Sequence, residues 1–201
     1  MSNDIFSYNR DINKNAYLNW RMDNTDDPHN FKVLASGYAE AAKLMTDDVL
    51  ADNTGKRADV IIFPILLCIN TSIELYEKSV LMLLNKMPRV ENDIKRTHNI
   101  KDLFKQMTDC MKEHKLMSEK EEEALTVIKE YTDNLNEYIA DGSKPQYDFV
   151  RYPQTSTAQP QFYLKTHDNV TVDLENLKKI IEEITDLLYG VYCKIYDITL
   201  K

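Results

Sequence analysis

Glycine is scarce in this chain, with four in 201 residues, and that scarcity leaves little material for the tight turns of a many-stranded fold. Cysteine is scarcer still. Cys68, Cys110 and Cys193 are odd in number, far apart and set in apolar helical patterns, so neither a disulfide framework nor a zinc site is expected, and a reducing cytoplasm fits. Basic excess is missing as well. With 33 acidic against 25 basic residues the net charge is −8, which opposes a broad electrostatic grip on DNA while leaving room for a local basic groove. The polar start MSNDIFSYNRDINKN does not read as a signal peptide, and the run Val60–Ile69 is about half of the roughly 20 residues that span a bilayer, so a soluble protein with no membrane partner is expected.

Apolar residues recur at helical spacing, and the expected fold class is all-α: an antiparallel bundle of about five main helices. Residues 1–28 form an N-terminal arm holding Trp20, which either folds over the bundle or stays free of it, and residues 29–201 form one domain. The first helix is expected from about Asn30 to Asp52, burying Phe31, Leu34, Tyr38, Ala41 and Met45. A second runs from about Asp59 to Lys86, with Pro64 either kinking it or marking the first turn of its main part. The third spans roughly Asn99 to Lys115. A fourth begins at Ser118, whose side chain with Glu121 makes a capping-box pattern, and SEKEEE reads as its solvated first turn. Prolines interrupt residues 140–161, and Phe162–Leu164 with Val170–Val172 around a KTHDN turn read as a small β-hairpin. The last helix opens on Asp173 with a seam from Leu174 to Ile198. Beside that seam Tyr189, Tyr192 and Tyr196 form a second stripe, either packed inside the bundle or offered to a partner chain.

The second helix holds the polar residues of most interest. Asn70, Glu74 and Lys78 follow one another at i, i+4 and i+8, so they stack along one line of an otherwise greasy rod and need partners. Glu74 and Lys78 have the order of an intrahelical ion pair, and they also serve as ligand contacts if the line faces a cleft. His98 and Asn99 open the third helix, where capping competes with a functional role. Arg151, flanked by aromatic and apolar residues in FVRYP, either turns inward to pair with Glu74 or binds an anionic ligand, with Tyr152 at the border. No Gly-rich phosphate loop, GxSxG, HExxH, CxxC pair or dense metal-ligand set occurs, and no cofactor is expected.

The segment SIELYEKSVLMLL, then HNIKDLF, a late FVRYP and a C-terminal helix opening DLENL together resemble the HEPN superfamily of prokaryotic helical domains, over roughly residues 60–200. The resemblance implies a helical bundle, commonly a homodimer through its long helices, of the kind that recurs in toxin–antitoxin, antiphage and RNA-processing systems. It matches Glu74 and Lys78 to polar positions of the central helix, His98 and Asn99 to the start of the next, and Arg151, Tyr152 and Pro153 to an FRYP-like element. Many HEPN proteins cleave RNA without metal through an arginine followed, after four to six residues, by a histidine. That motif is absent. Seven residues separate Arg21 from His29, eight separate Arg89 from His98 and one separates Arg96 from His98. The expected function is therefore a binding or interaction protein for an anionic ligand such as a nucleotide or RNA, through Glu74, Lys78, His98, Arg151 and Tyr152. Two alternatives stand beside it: a metal-independent endoribonuclease using Arg96 and His98, and a structural partner protein.

Overall fold

The computed structural model describes residues 4–88, 90, 94, 97–139, 147–155 and 157–200. The chain is an all-α bundle: α1 (Asp27–Ala51), α2 (Ala58–Leu84), α3 (Ile100–Glu113), α4 (Glu119–Ala124), α5 (Thr126–Ile139), the single turn α6 (Phe162–Lys165) and α7 (Leu174–Thr199). Among the described residues α2 is the one helix long and apolar enough to cross a membrane by length and composition. In the fold it is the axle, with α1, α7 and α3 packed on it. Pro64 lies inside α2 rather than at its start, and the carbonyl deprived of its amide partner belongs to Val60, near the exposed beginning of the helix.

Helix starts follow local chemistry closely. Pro28 sits in the first turn of α1, where its fixed φ suits the helix and its missing N–H costs nothing, so α1 begins three residues before the expected Asn30. Asn99 caps α3 by accepting from the Asp102 amide at 3.2 Å, and Asp173 caps α7 by accepting from the Glu175 and Asn176 amides. The capping box of Ser118 and Glu121 is present, but the expected fourth helix is two: α4 ends before Leu125, where the Thr126 hydroxyl donates to the Glu123 carbonyl and the chain restarts as α5. No residue of α4 is buried, consistent with a solvated SEKEEE turn.

The buried face of α1 differs from the expected one. Ala35, Ala39, Ala42, Thr46 and Val49 face inward, whereas Leu34 and Tyr38 are exposed. Small residues let the two backbones approach until the Ser72 hydroxyl donates to the Ala35 carbonyl at 2.9 Å and the Ser79 hydroxyl to the Pro28 carbonyl at 2.7 Å. Larger side chains on that face would hold the helices apart. The seam of α7 packs within its own chain: Leu177, Ile181, Ile184, Leu188, Val191 and Ile195 are all buried, and so is Tyr192, stacked on Tyr196 at 5.7 Å. Of the tyrosine stripe only Tyr189 is exposed, with the Lys32 ammonium 5.2 Å from its ring centre.

The β-hairpin does not form. Phe162–Lys165 is a helical turn, and among the described residues the only bridge is the isolated Gln154–Pro160 pair. Aromatic packing explains the difference. Phe162 meets Phe149 at 5.5 Å and Tyr138 at 5.8 Å, while the neighbouring Tyr163 meets Phe63 at 5.2 Å and donates its hydroxyl to the Phe149 carbonyl. A strand would send these adjacent rings to opposite faces; a helical turn lets both reach the bundle. The N-terminal arm does not fold over the bundle, since Trp20 is exposed.

The close α1–α2 contact sets a stability test. Ala42→Leu should cost about 1–3 kcal/mol by overpacking, while Leu34→Ser should stay within about 0.5 kcal/mol, both read from urea unfolding midpoints. Equal effects would contradict the observed facing of α1.

Candidate functional site

The polar line of α2 does find partners. Asn70 is buried and its Oδ1 accepts from the Tyr131 hydroxyl of α5 at 2.7 Å. One turn on, Glu74 Oε1 receives both the Lys78 ammonium at 2.7 Å and His98 Nδ1 at 2.9 Å. Because a carboxylate can only accept, Nδ1 carries the hydrogen of this contact, and in the neutral ring Nε2 is left with a lone pair. Glu74 and Lys78 side chains are 15% and 16% exposed, while that of His98 is 85% exposed, so a mostly buried ion pair holds an imidazole that stands in solvent. His98 is not the helix cap. Asn99 takes that role, which leaves the histidine ring free for its contact with Glu74.

Glu74, His98 and Arg151 line one cleft of about 650 Å³, together with Asn70, Asn99, Asp102, Tyr147 and Asp148. Three distant segments thus converge: the middle of α2, the entry to α3 and the 3-10 turn Tyr147–Val150. That turn is anchored by buried Phe149 and Val150, which fix where Arg151 emerges. Of the two readings of Arg151, the ion pair with Glu74 does not form. Arg151 pairs with Asp148, three residues back on its own turn, and its guanidinium lies 5.8 Å from the Tyr152 ring centre. Local reach wins because Asp148 is the nearer carboxylate and Glu74 already holds two donors. Lys78 stands behind Glu74 without lining the cleft, and Tyr152 is exposed at its border. Arg96 and Arg89 lie outside the described residues.

Behind this front row lies a buried acid that the sequence reading missed. Glu77 is 0% exposed, and among the described residues neither of its carboxyl oxygens has a hydrogen-bond partner. Burial, and then the nearby negative charge of Glu74, push its carboxyl well above the ordinary range against the weaker pull of Lys78, which favours the neutral acid. Its position was legible: i+3 from Glu74 and i+7 from Asn70 put it on the same helical face. Near it the Tyr147 hydroxyl donates to Asn136 Oδ1 at 3.1 Å, and burial pushes that phenol up as well. Among the described residues the Nδ2 groups of Asn70 and Asn136 have no partner, so the floor behind the cleft is polar and incompletely satisfied there.

Among the described residues no three His, Cys, Asp or Glu side chains gather as a metal-ligand set. No known family profile, curated protein or solved structure matches the chain. What the site can do therefore rests on its own geometry.

Glu77 makes stability depend on pH with a definite sign. Its folded pKa lies above the unfolded value near 4.5, so the unfolded chain releases this proton first and the contribution is lost as pH rises above that value. Glu77→Gln should remove this component. Relative to wild type, the variant should gain stability as pH rises above about 4.5, measured by urea midpoints; a difference that does not change with pH would contradict a raised carboxyl.

Proposed function

We propose that the cleft binds a nucleotide or a short stretch of RNA, with a phosphate at Arg151, a ribose hydroxyl donating to His98 Nε2, and the rest of the sugar or base turned toward Asn70, Asn99 and Glu74. The observation that carries this reading is the convergence of a carboxylate-braced imidazole and a guanidinium on the rim of one cleft of about 650 Å³. A ligand that was only an anion would fit poorly, because Glu74, Asp102 and Asp148 line the same space. A nucleotide carries both polarities. Its phosphate would take Arg151 from Asp148, while ribose hydroxyls or exocyclic amines donate to the carboxylates that no anion could approach. The HEPN-like order of segments supports the same class of ligand and a cytoplasmic setting in a toxin–antitoxin or antiphage system.

The Glu74–His98 contact favours one second reading. An imidazole with Nδ1 held by a carboxylate has Nε2 available to take a proton from a ribose 2′-hydroxyl, and Arg151 could neutralise charge on the attacked phosphate. Here the arginine of a metal-independent ribonuclease would be Arg151 in place of Arg96.

Fluorescence anisotropy with a labelled short RNA, and calorimetry with individual nucleotides, test the binding. Wild type should bind, and Arg151→Ala should weaken it about tenfold or more, the scale of a lost charge-assisted hydrogen bond. No binding, or equal binding by the variant, would end the proposal. For the second reading, RNA incubated with the protein in EDTA should be cut by wild type and left intact by His98→Ala.

A further inference from the structure

The cleft has a wall that its polar groups leave unused. Beyond the residues already placed, it is lined by Tyr38 of α1 and Leu67 of α2. Tyr38 is 40% exposed, because α1 turns its alanines to the core and its larger side chains outward. Helix register places the ring along the cleft. The Ser79 hydroxyl donates to the Pro28 carbonyl and the Ser72 hydroxyl to the Ala35 carbonyl, so the two helices run antiparallel and Tyr38 comes level with residues 67–71 of α2. Glu74, with His98 resting on it, stands about 7 Å further along α2 at 1.5 Å per residue.

Tyr38 differs from the other exposed aromatic side chains of the bundle. Tyr138 meets Phe162 at 5.8 Å, the Tyr152 ring lies 5.8 Å from the Arg151 guanidinium, and the Tyr189 ring lies 5.2 Å from the Lys32 ammonium. Among the described residues Tyr38 has no ring, cation or hydrogen-bond partner. An aromatic face left free on a cleft wall is what the polar rim cannot supply. Every base has a π-face as well as polar edges, and the face is satisfied by stacking.

We propose that Tyr38 is the shelf on which the base stacks, and that the cleft takes a purine nucleotide in preference to a pyrimidine one. This inference rests on the nucleotide reading above and adds the residue that holds the base. A base on Tyr38 has Leu67 and Asn70 on the adjacent stretch of α2, and the short step to the Glu74–His98 pair lets one ligand engage both. Stacking acts through ring area. The fused rings of a purine cover more of a tyrosine than the single ring of a pyrimidine does, and the contact needs no hydrogen bond from the Tyr38 hydroxyl.

Calorimetry on the full-length protein with AMP, UMP and ribose 5-phosphate tests the shelf apart from the rest of the site. Wild type should bind AMP more tightly than UMP, and ribose 5-phosphate least. Tyr38→Ala, at an exposed position, should weaken AMP about tenfold, on the scale of one lost stacked base, and leave ribose 5-phosphate unchanged. Tyr38→Phe should keep AMP binding, and Arg151→Ala should weaken all three ligands. AMP binding that survives Tyr38→Ala, an equal loss for ribose 5-phosphate, or a Tyr38→Phe variant as weak as Tyr38→Ala would overturn the shelf while leaving the nucleotide site in place. UMP bound by wild type as tightly as AMP would overturn the purine preference. Failure of wild type to bind any of the three would end the nucleotide reading and the shelf together.

Discussion

An apolar rod that carries polar groups along one face must either turn that face to solvent or supply it with partners, and α2 does the second. Two turns of the line meet other elements, Asn70 meeting Tyr131 of α5 and Glu74 meeting His98 at the entry to α3, while Lys78 pairs back with Glu74. Leaving any of these buried groups unpaired would cost of the order of 1–3 kcal/mol, so the helices around α2 are held in register by chemistry as well as by apolar contact. Glu77 shows what happens where no partner is supplied. Burial favours its neutral form, and the protein keeps a buried acid one turn from the polar cleft.

That constraint also explains how the cleft is built. Glu74 and Lys78 are nearly enclosed, so their geometry is set by packing rather than by solvent, and the imidazole resting on Glu74 inherits that order. Arg151 comes from a different kind of element, a turn fixed by two buried apolar side chains and balanced by its own Asp148. A braced imidazole and a guanidinium neutralised by its own Asp148 thus share the rim of one cleft.

Much of the fold was legible because local chemistry decided it. Pro28, Asn99, Ser118 with Glu121 and Asp173 all act within one helical turn of where they stand, and the seam of α7 has a period that survives any tertiary context. What failed depended on neighbours. The large residues of α1 promised a core face, yet the helix turned its alanines inward because Ser72 and Ser79 of α2 draw the backbones together. Adjacent aromatics at 162 and 163 resembled a strand until Phe63, Phe149 and Tyr138 offered both rings a place on the bundle. Arg151 was sent toward Glu74 by its apolar flanks, when a carboxylate three residues away was within easier reach. Glu77 was hidden by the favourable look of the Glu74–Lys78 spacing, although its place on the same face followed from the helical repeat.

The central claim is that Glu74 fixes the tautomer and the position of His98. Nitrogen-15 NMR of the His98 ring at a pH where it is neutral tests this directly. The account predicts a protonated Nδ1, a bare Nε2, and a move toward the mixture of a free imidazole in Glu74→Ala. A wild-type ring already showing that free mixture, unchanged by the substitution, would contradict it.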